Sequence, residues 1–292
     1  MRGIAKTVSA AALWLACALN GAAAQRAEAP PFDAAPKSKA GPRSPDGNWA
    51  APFGGTFSAN FTVASDYSYA GISNTQLGPA FQAGLDYRSD YIGDGKALWL
   101  YLGTWGSNVS FPASGPGVEI DVYGGFKLRV LDRKLKLDLG YLRYSFPGMP
   151  GEQGYDYGEF SLQADYDFGP AEKKWATLSG RVRYSPDSFG HSGASWTKRA
   201  RLSAPLRFLT PGTDAILLEL YGTLGNLWVE RYLAYGLPSQ DYWYWQTGLV
   251  ISTPHLGFDI TIAYTDTSIS PEGCGNTGYC SGRVFVSVTK LF

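Results

Sequence analysis

The chain has 292 residues, a formal net charge of zero and only 17% charged residues, whereas soluble domains typically carry roughly 25%. The neutral balance gives no reason to expect nucleic acid as a partner. Its 36 glycines and 15% aromatic residues favour strands and tight turns over helices. After residue 24, no apolar run approaches the ~20 residues of a membrane-spanning helix. Any membrane crossing must therefore use strands.

The N-terminus has the pattern of a secretory signal peptide. Arg2 and Lys6 precede an apolar segment over 8–19, and residues 22–24 are three alanines, which suit a cleavage site. We therefore predict that residues 1–24 direct export through the inner membrane and are removed.

Two further features lie before the first strand. Cys17 raises the alternative of a lipoprotein, which is disfavoured because Trp14 fits the required small or aliphatic tripeptide poorly. Residues 25–53 are rich in Ala, Pro, Lys and Ser and show no periodicity. This composition predicts a disordered periplasmic segment.

From residue 57 onwards, apolar and polar residues alternate with the period of two that is typical of half-buried strands. The clearest case sets Val118, Ile120 and Val122 against Glu119 and Asp121. The predicted strands cover 57–63, 80–88, 97–105, 118–129, 135–141, 155–166, 176–184, 196–204, 214–224, 242–252, 258–264 and 283–292. Twelve is an even number, as a bacterial single-chain barrel requires.

The predicted connections alternate between short and long. The short ones lie near 89–96, 131–134, 167–174, 205–213 and 253–255. The long ones lie near 67–79, 106–117, 146–154, 186–195, 225–241 and 266–281. Short periplasmic turns and longer outer loops are typical of outer-membrane barrels, so both termini are predicted to be periplasmic.

The distribution of charge separates a membrane barrel from a soluble one. A soluble barrel or sandwich turns its apolar faces inward, but twelve clean apolar faces are too many for a small interior. Turned outward, they form a lipid-facing band and leave the charged faces to line the lumen. We therefore predict an all-β antiparallel transmembrane β-barrel of about 12 strands over residues 54–292, embedded in the outer-membrane lipid of a Gram-negative bacterium.

The last strand ends on an aromatic residue, Phe292. A final strand of this kind resembles that of bacterial outer-membrane barrels, in which the terminal Phe belongs to the signal read by the barrel-assembly machinery. The resemblance implies that this machinery is a partner of the C-terminal strand.

A set of short motifs resembles the TorF-like porin family, also known as Gcw_chp. The main pair is the segment 64–73, which reads Ala-Ser-Asp-Tyr-Ser-Tyr-Ala-Gly-Ile-Ser, followed by 79–87. The other motifs are at 105–108, 119–121, 140–144, 146–147, 184–186 and 264–267. The resemblance implies a proteobacterial outer-membrane porin with no catalytic residues. Ala70 stands where the family usually has arginine, so a selectivity set by that arginine would differ here.

Inward-facing charges define the predicted pore lining. It comprises Arg88, Glu119, Asp121, Lys127, Arg129, Asp138, Glu159, Arg181, Arg183, Arg199, Arg201, Glu219 and Asp259. The signs are nearly balanced, which predicts a channel for passive diffusion of small hydrophilic or charged solutes without strong overall selectivity. Because twelve strands lie between a filled and an open barrel, a lumen closed by ion pairs, in a structural or adhesive barrel, is the alternative.

Two local features bear on the predicted lumen. Arg181, Arg183, Arg199 and Arg201 lie on neighbouring strands, which predicts a basic wall that attracts anions. Separately, one loop and one strand end offer a possible constriction. Its residues are Asp66, Tyr67, Gly71, Ser73, Trp105 and Asn108, and the alternative is that Gly71 and Asn108 are ordinary turn residues.

An outer-membrane lipid hydrolase is the least favoured alternative. His191 lies in a predicted outer loop beside Ser192, but Gly193 occupies the second position after it, so the His-x-Ser spacing of barrel lipases is missing. His255 lies in a predicted periplasmic turn.

The cysteines and histidines set two further expectations. Cys274 and Cys280 are predicted to pair in the oxidising compartment reached by export. Two histidines and one disulfide cannot build a typical metal site, and no cofactor is predicted.

Overall fold

The computed structural model describes residues 54–93, 97–112, 115–148, 154–170, 174–210 and 215–292. The predicted signal peptide, the lipoprotein alternative at Cys17 and the predicted disordered segment 25–53 lie outside these residues.

Twelve strands form one closed antiparallel barrel. Each strand pairs with its neighbours in chain order, and the first barrel strand pairs with both the last and the second. The barrel strands are β1 (Thr56–Ala64), β4 (Ala80–Arg88), β5 (Leu98–Phe111), β6 (Gly115–Val130), β7 (Leu135–Ser145), β8 (Tyr157–Phe168), β9 (Ala176–Ser185), β10 (Ser195–Pro205), β11 (Leu217–Val229), β12 (Asp241–Thr253), β13 (Phe258–Thr267) and β14 (Arg283–Leu291).

The remaining elements are small. Strands β2 (Ser68–Tyr69) and β3 (Ile72–Ser73) form a separate two-stranded hairpin between β1 and β4. An α-helical turn, α1, covers Tyr232–Tyr235, and 3-10 turns cover Phe189–His191 and Arg207–Leu209. Within the described ranges, no helix has both the length and the apolar character to cross a membrane.

The barrel is apolar outside and polar inside. On β6, the outward side chains of Ile120 and Val122 are exposed, whereas the inward carboxylates of Glu119 and Asp121 are 1% and 3% exposed. Such an arrangement suits a barrel surrounded by hydrocarbon, because every backbone group in a closed barrel is hydrogen-bonded and the apolar faces meet lipid. The prediction of a twelve-stranded antiparallel transmembrane barrel is confirmed.

One predicted long loop is mostly strand. The segment 106–117 was expected to be a loop, but β5 continues to Phe111 and β6 starts at Gly115. The pairs Ser107↔Glu119 and Phe111↔Gly115 extend the ladder beyond its predicted end. This prediction was wrong because Gly and Ser, which favour turns in isolation, pair here with the well-defined β6.

Both chain ends of the barrel lie at the same end, with the connections 131–134 and 254–257. We call this the short-turn end. Phe292 is joined to β1 by mutual backbone hydrogen bonds with Ala59, of 2.9 and 3.3 Å. The opposite end carries the connections β1–β4, β5–β6, β7–β8, β9–β10, β11–β12 and β13–β14, and we call it the long-loop end.

Candidate functional site: a lumen crossed by a hairpin

The loop between β1 and β4 folds into the barrel. Asp66 is almost fully buried, and its Oδ2 accepts a 2.7 Å hydrogen bond from Nε of Arg283 at the start of β14. Its Oδ1 accepts hydrogen bonds from Ser73 (2.5 Å) and Thr75 (2.9 Å). Arg283 also donates to the carbonyl oxygen of Gly71 at 2.9 Å. One ion pair thus fixes both arms of the β2–β3 hairpin inside the barrel.

Two tyrosines carry the hairpin across to the opposite wall. The Tyr67 hydroxyl donates to Glu119 on β6 at 2.8 Å, and its ring packs edge-on against Trp105 with the centroids 5.5 Å apart. The Tyr69 hydroxyl lies 3.4 Å from Glu159 on β8. The hairpin therefore spans from β14 to β6 and β8.

The tip of the hairpin rests on β12 and β13. The Tyr242 hydroxyl donates to the carbonyl oxygen of Ala70 at 3.0 Å. Gly71 has φ +85°, and a Cβ there would lie 2.5 Å from Cγ2 of Thr267 and 3.0 Å from Cβ of Tyr244. Both the backbone conformation and the close approach require glycine at this position.

Acidic residues gather on one side of the hairpin. Glu119, Asp121 and Glu159 are all buried on the inward faces of β6 and β8. Oε2 of Glu159 accepts hydrogen bonds from the Tyr144 hydroxyl (2.9 Å) and from Arg183 (3.3 Å). Arg183 therefore links the acidic side of the lumen to the arginines of β9 and β10.

Basic residues line a cavity on the other side. Its water-accessible volume is about 70 Å³. Its wall is built from Ser68, Tyr69, Ala70, Gly71, Arg181, Arg183, Thr197, Arg199, Thr223, Tyr244, Gln246 and Thr265. Among these described lining residues, none is Asp or Glu. The hairpin thus divides acidic side chains from a cavity walled by three guanidinium groups.

Toward the short-turn end, charges are compensated across the sheet. Lys127 and Asp138 are directly opposed and 3.2 Å apart, and Lys136 lies 3.1 Å from Asp167. Arg201 pairs with Glu219 at 3.6 Å. Its guanidinium also lies 3.7 Å from the ring centroid of Tyr221 on β11, a cation–π distance.

The predicted pore-lining residues all lie on the inward faces of their strands. The structure also places Asp66, Tyr67, Gly71, Ser73 and Trp105 inside the barrel. Asn108, in contrast, does not lie inside the barrel. It lies on the outward face of β5, where its amide binds the backbone of Phe81 (2.7 Å) and Pro79 (3.0 Å). The physical reason is that β5 continues through this residue, so strand alternation decides its direction.

The long-loop end carries an aromatic cluster that the sequence analysis did not predict. The rings of Phe111, Phe146, Tyr155, Phe189 and Tyr235 pack together, and Tyr155 stacks on Phe189 with the centroids 4.6 Å apart. These rings come from four separate loops or strand ends. Their only sequence signal is the enrichment of aromatic residues near strand ends.

The candidate hydrolase residues are not assembled. Nδ1 of His191 lies 3.0 Å from Asp187, and both side chains are exposed. The Ser192 hydroxyl is buried and has no hydrogen-bond partner among the described residues, so the imidazole does not contact it. His255 lies at the short-turn end.

The long-loop end contains the predicted disulfide. Cys274 and Cys280 form a disulfide, and Cys280 is buried in a cluster with Leu227, Val229 and Tyr242. In the part of the chain that the structure describes, no group of three His, Cys, Asp or Glu side chains could hold a metal ion.

The fold and the lumen define a transmembrane β-barrel with a hairpin inside it. The chain belongs to the family Gcw_chp, described as "bacterial protein of unknown function", whose model matches residues 49–292. No functionally curated protein matches the sequence.

Several solved structures are similar to this chain. One is LpxR from Salmonella typhimurium, with 8% identity, 80% of this chain and 99% of that chain covered, and a TM-score of 0.45. The KdgM porin in complex with disordered oligogalacturonate has the same identity, coverage and TM-score. The COG4313 outer membrane channel from Pseudomonas putida F1 has 14% identity, 85% and 99% coverage, and a TM-score of 0.43. Similarities of this size carry no inference about function.

Proposed function

We propose that the protein is a non-catalytic outer-membrane channel through which small hydrophilic or charged solutes diffuse passively. One observation carries the proposal. The barrel is apolar outside, and its charged interior keeps a cavity open to water beside the arginines of β9 and β10. In porins, a polar barrel interior forms a water-filled channel.

In this proposal, the β2–β3 hairpin is the constriction. It meets β6 and β8 through Tyr67 and Tyr69 and meets β14 through Asp66, so a solute must pass on the side left open. That side is the one lined by Arg181 and Arg199. With both termini periplasmic, the long-loop end faces the outside and solutes enter beside the aromatic cluster.

A closed structural barrel is the second candidate. The hairpin is fixed at both walls, and the aromatic cluster covers part of the long-loop end. Together these contacts could seal the lumen, in which case the internal charges would stabilise the barrel without conducting.

Single-channel recordings separate the two candidates. The chain lacking residues 1–24 is refolded, its heat-modifiability on gels is confirmed, and it is inserted into planar bilayers with ion-reversal potentials recorded. Discrete current steps support the channel. A folded, heat-modifiable barrel with no steps supports the closed barrel, and a variant with Ser68–Ser73 replaced by a two-glycine link then tests whether the hairpin is what seals it.

A further inference from the structure

We propose that the cavity beside the hairpin tip is a binding site for a small oxyanion, either the carboxylate of a small organic acid or inorganic phosphate. The proposal rests on the proposed channel function, since it names the solute class that the channel would take. Four features of the cavity support it: its charge, its strand register, its unused hydrogen-bonding groups and its size.

The charge of the cavity favours an anion. Arg181, Arg183 and Arg199 all line it, and no Asp or Glu is among its described lining residues. Nη1 of Arg183 lies 3.3 Å from Oε2 of Glu159, and the same atom donates a hydrogen bond to the Tyr144 hydroxyl. Guanidinium groups present several N–H donors in one plane, which matches the oxygens of a carboxylate or phosphate.

The register of the sheet sets two of these charges directly against each other. Arg181 on β9 is the cross-strand partner of Arg199 on β10. On the far side of each arginine, the cross-strand partner is uncharged: Gln163 on β8 faces Arg181, and Gly225 on β11 faces Arg199. Like charges directly opposite each other destabilise a sheet, and an oxyanion held between them offsets that repulsion.

Other basic residues of the lumen lie away from the cavity. Lys127 directly faces Asp138, and Arg201 has Glu219 at 3.6 Å. Arg129 and Lys136 also face each other across β6 and β7, but neither lines the cavity, whereas Arg181 and Arg199 both do.

Unused polar atoms point to a ligand at the same place. Oγ1 of Thr197, Oγ1 of Thr223 and Nε of Arg183 are buried and have no hydrogen-bond partner among the described residues. All three side chains line the cavity, and Thr197 is only 5% exposed. Buried polar groups are normally hydrogen-bonded. Two hydroxyls and one guanidinium N–H are therefore available to the oxygens of a bound anion.

The size of the cavity limits the ligand. A volume of about 70 Å³ holds several water molecules, since a single water needs roughly 10–15 Å³ on this measure. A phosphate ion or a carboxylate group fits this space. Ala70 lines the cavity, and a longer side chain at this position would fill part of its volume.

The test is calorimetric titration of the refolded chain in detergent, with inorganic phosphate and succinate titrated in separate experiments at constant ionic strength. The wild-type chain is expected to bind at least one of them saturably at one site, and the tighter ligand identifies the preferred oxyanion. Because a hydrogen bond to a charged group is lost, Arg199→Gln should weaken binding by about tenfold or more.

Three further variants are titrated in the same way, the first of them as the control. Arg207→Gln, at an exposed position of the short-turn end, should bind like the wild type. Thr223→Val should weaken binding without changing the charge. Arg199→Lys keeps the charge and should bind with intermediate affinity, and it replaces Arg199→Gln if that variant does not fold.

Binding and conductance are read separately, so the two proposals can fail independently. Current steps without saturable binding overturn the oxyanion site and leave the channel standing. Saturable binding without current steps supports the site and overturns the channel. Equal weakening by Arg199→Gln and Arg207→Gln means non-specific attraction to positive charge and also overturns the site.

Discussion

Asp66 and Arg283 are 217 residues apart in the chain and form a 2.7 Å ion pair inside the barrel. Their side chains are 4% and 12% exposed. Asp66 directly precedes the hairpin, and Arg283 is the first residue of the strand that closes the barrel against β1. The ion pair therefore fixes the start of the hairpin to the strand that completes the barrel.

Asp66→Asn should release the hairpin without unfolding the barrel. The substitution removes the charge that Arg283 contacts and one acceptor of the Ser73 and Thr75 hydroxyls. Hydrogen bonds to charged groups contribute about 1.5–3 kcal/mol, so the docked state should be weakened by about 2 kcal/mol. Single-channel conductance should rise, and backbone amides of residues 66–75 should exchange with deuterium faster.

Asp132→Asn is the matched control, because Asp132 is exposed in the turn 131–134. It should leave both readouts unchanged. Unchanged conductance and exchange in Asp66→Asn would contradict an anchoring role for the ion pair.

Gly71→Ala should displace the hairpin tip. The new methyl group would overlap Cγ2 of Thr267, and φ of +85° is unfavourable for alanine, at a cost of about 1–3 kcal/mol. Gly180→Ala is the control, since a Cβ at Gly180 meets nothing within 4 Å. We expect altered conductance and faster exchange around residues 68–73 in the first variant alone. Identical behaviour of the two variants would show that the tip tolerates a side chain.

Much of the fold was predictable because alternation is a local signal. On β6, Ile120 and Val122 alternate with Glu119 and Asp121, which fixes both the strand and its faces. Strand ends were less predictable. The extension of β5 to Phe111 depends on its pairing with β6, and the Gly and Ser content of this segment gives no sign of that pairing.

The lumen was predictable only where strands point into it. Alternation places Arg181 and Arg199 inward, but the register that sets them opposite each other comes from pairing. The path of the hairpin depends on contacts such as Asp66 with Arg283 and Tyr67 with Glu119. Contacts between residues so far apart in the chain leave no periodic pattern, so the sequence indicated only that a constriction was possible.

Ala70→Arg should narrow the route past the hairpin tip. Ala70 lines the cavity, and an arginine side chain there would occupy most of its volume. Conductance should fall, and phosphate affinity should fall because the ligand space is filled. Ala70→Gln adds bulk without charge and separates the two effects: similar losses of phosphate affinity in both variants indicate filling of the cavity, whereas a smaller loss in Ala70→Arg indicates attraction of the anion by the added charge. Unchanged conductance in both would place the solute route elsewhere.

Removing the disulfide should loosen the hairpin indirectly. Tyr279 lies between Cys274 and Cys280 in the sequence, and its carbonyl oxygen accepts from the Ser73 N–H (2.9 Å) and from Arg283 (3.0 Å). A disulfide closing so short a loop contributes about 2 kcal/mol. The double variant Cys274→Ser with Cys280→Ser should therefore show faster exchange at Ser73, while the distant turn 131–134 provides the internal reference. Unchanged exchange at Ser73 would restrict the role of the disulfide to its own loop.

The loop 186–194 should respond to acid through Asp187. A hydrogen bond from the His191 ring, together with the Gly193 N–H at 2.9 Å and the charge of Arg231, lowers the pKa of Asp187. A carboxyl whose folded pKa is lowered stabilises the loop fully above its unfolded pKa of about 3.9 and loses that contribution as the pH falls through the folded value. The loop should thus be insensitive to Asp187 between pH 5 and 8 and loosen only in stronger acid. Because the side chain is 50% exposed, the contribution should stay below about 1 kcal/mol.

The amide proton of Gly193 reports this titration directly, since it donates to Asp187. In NMR spectra of the detergent-solubilised protein, its chemical shift should titrate with a midpoint below about 3.9. Asp187→Asn should abolish the titration, and His191→Ala should move the midpoint upward because the largest cause of the lowered pKa is removed. A midpoint at or above the ordinary value in the wild-type protein would show that the Asp187–His191 contact does not hold the loop in solution.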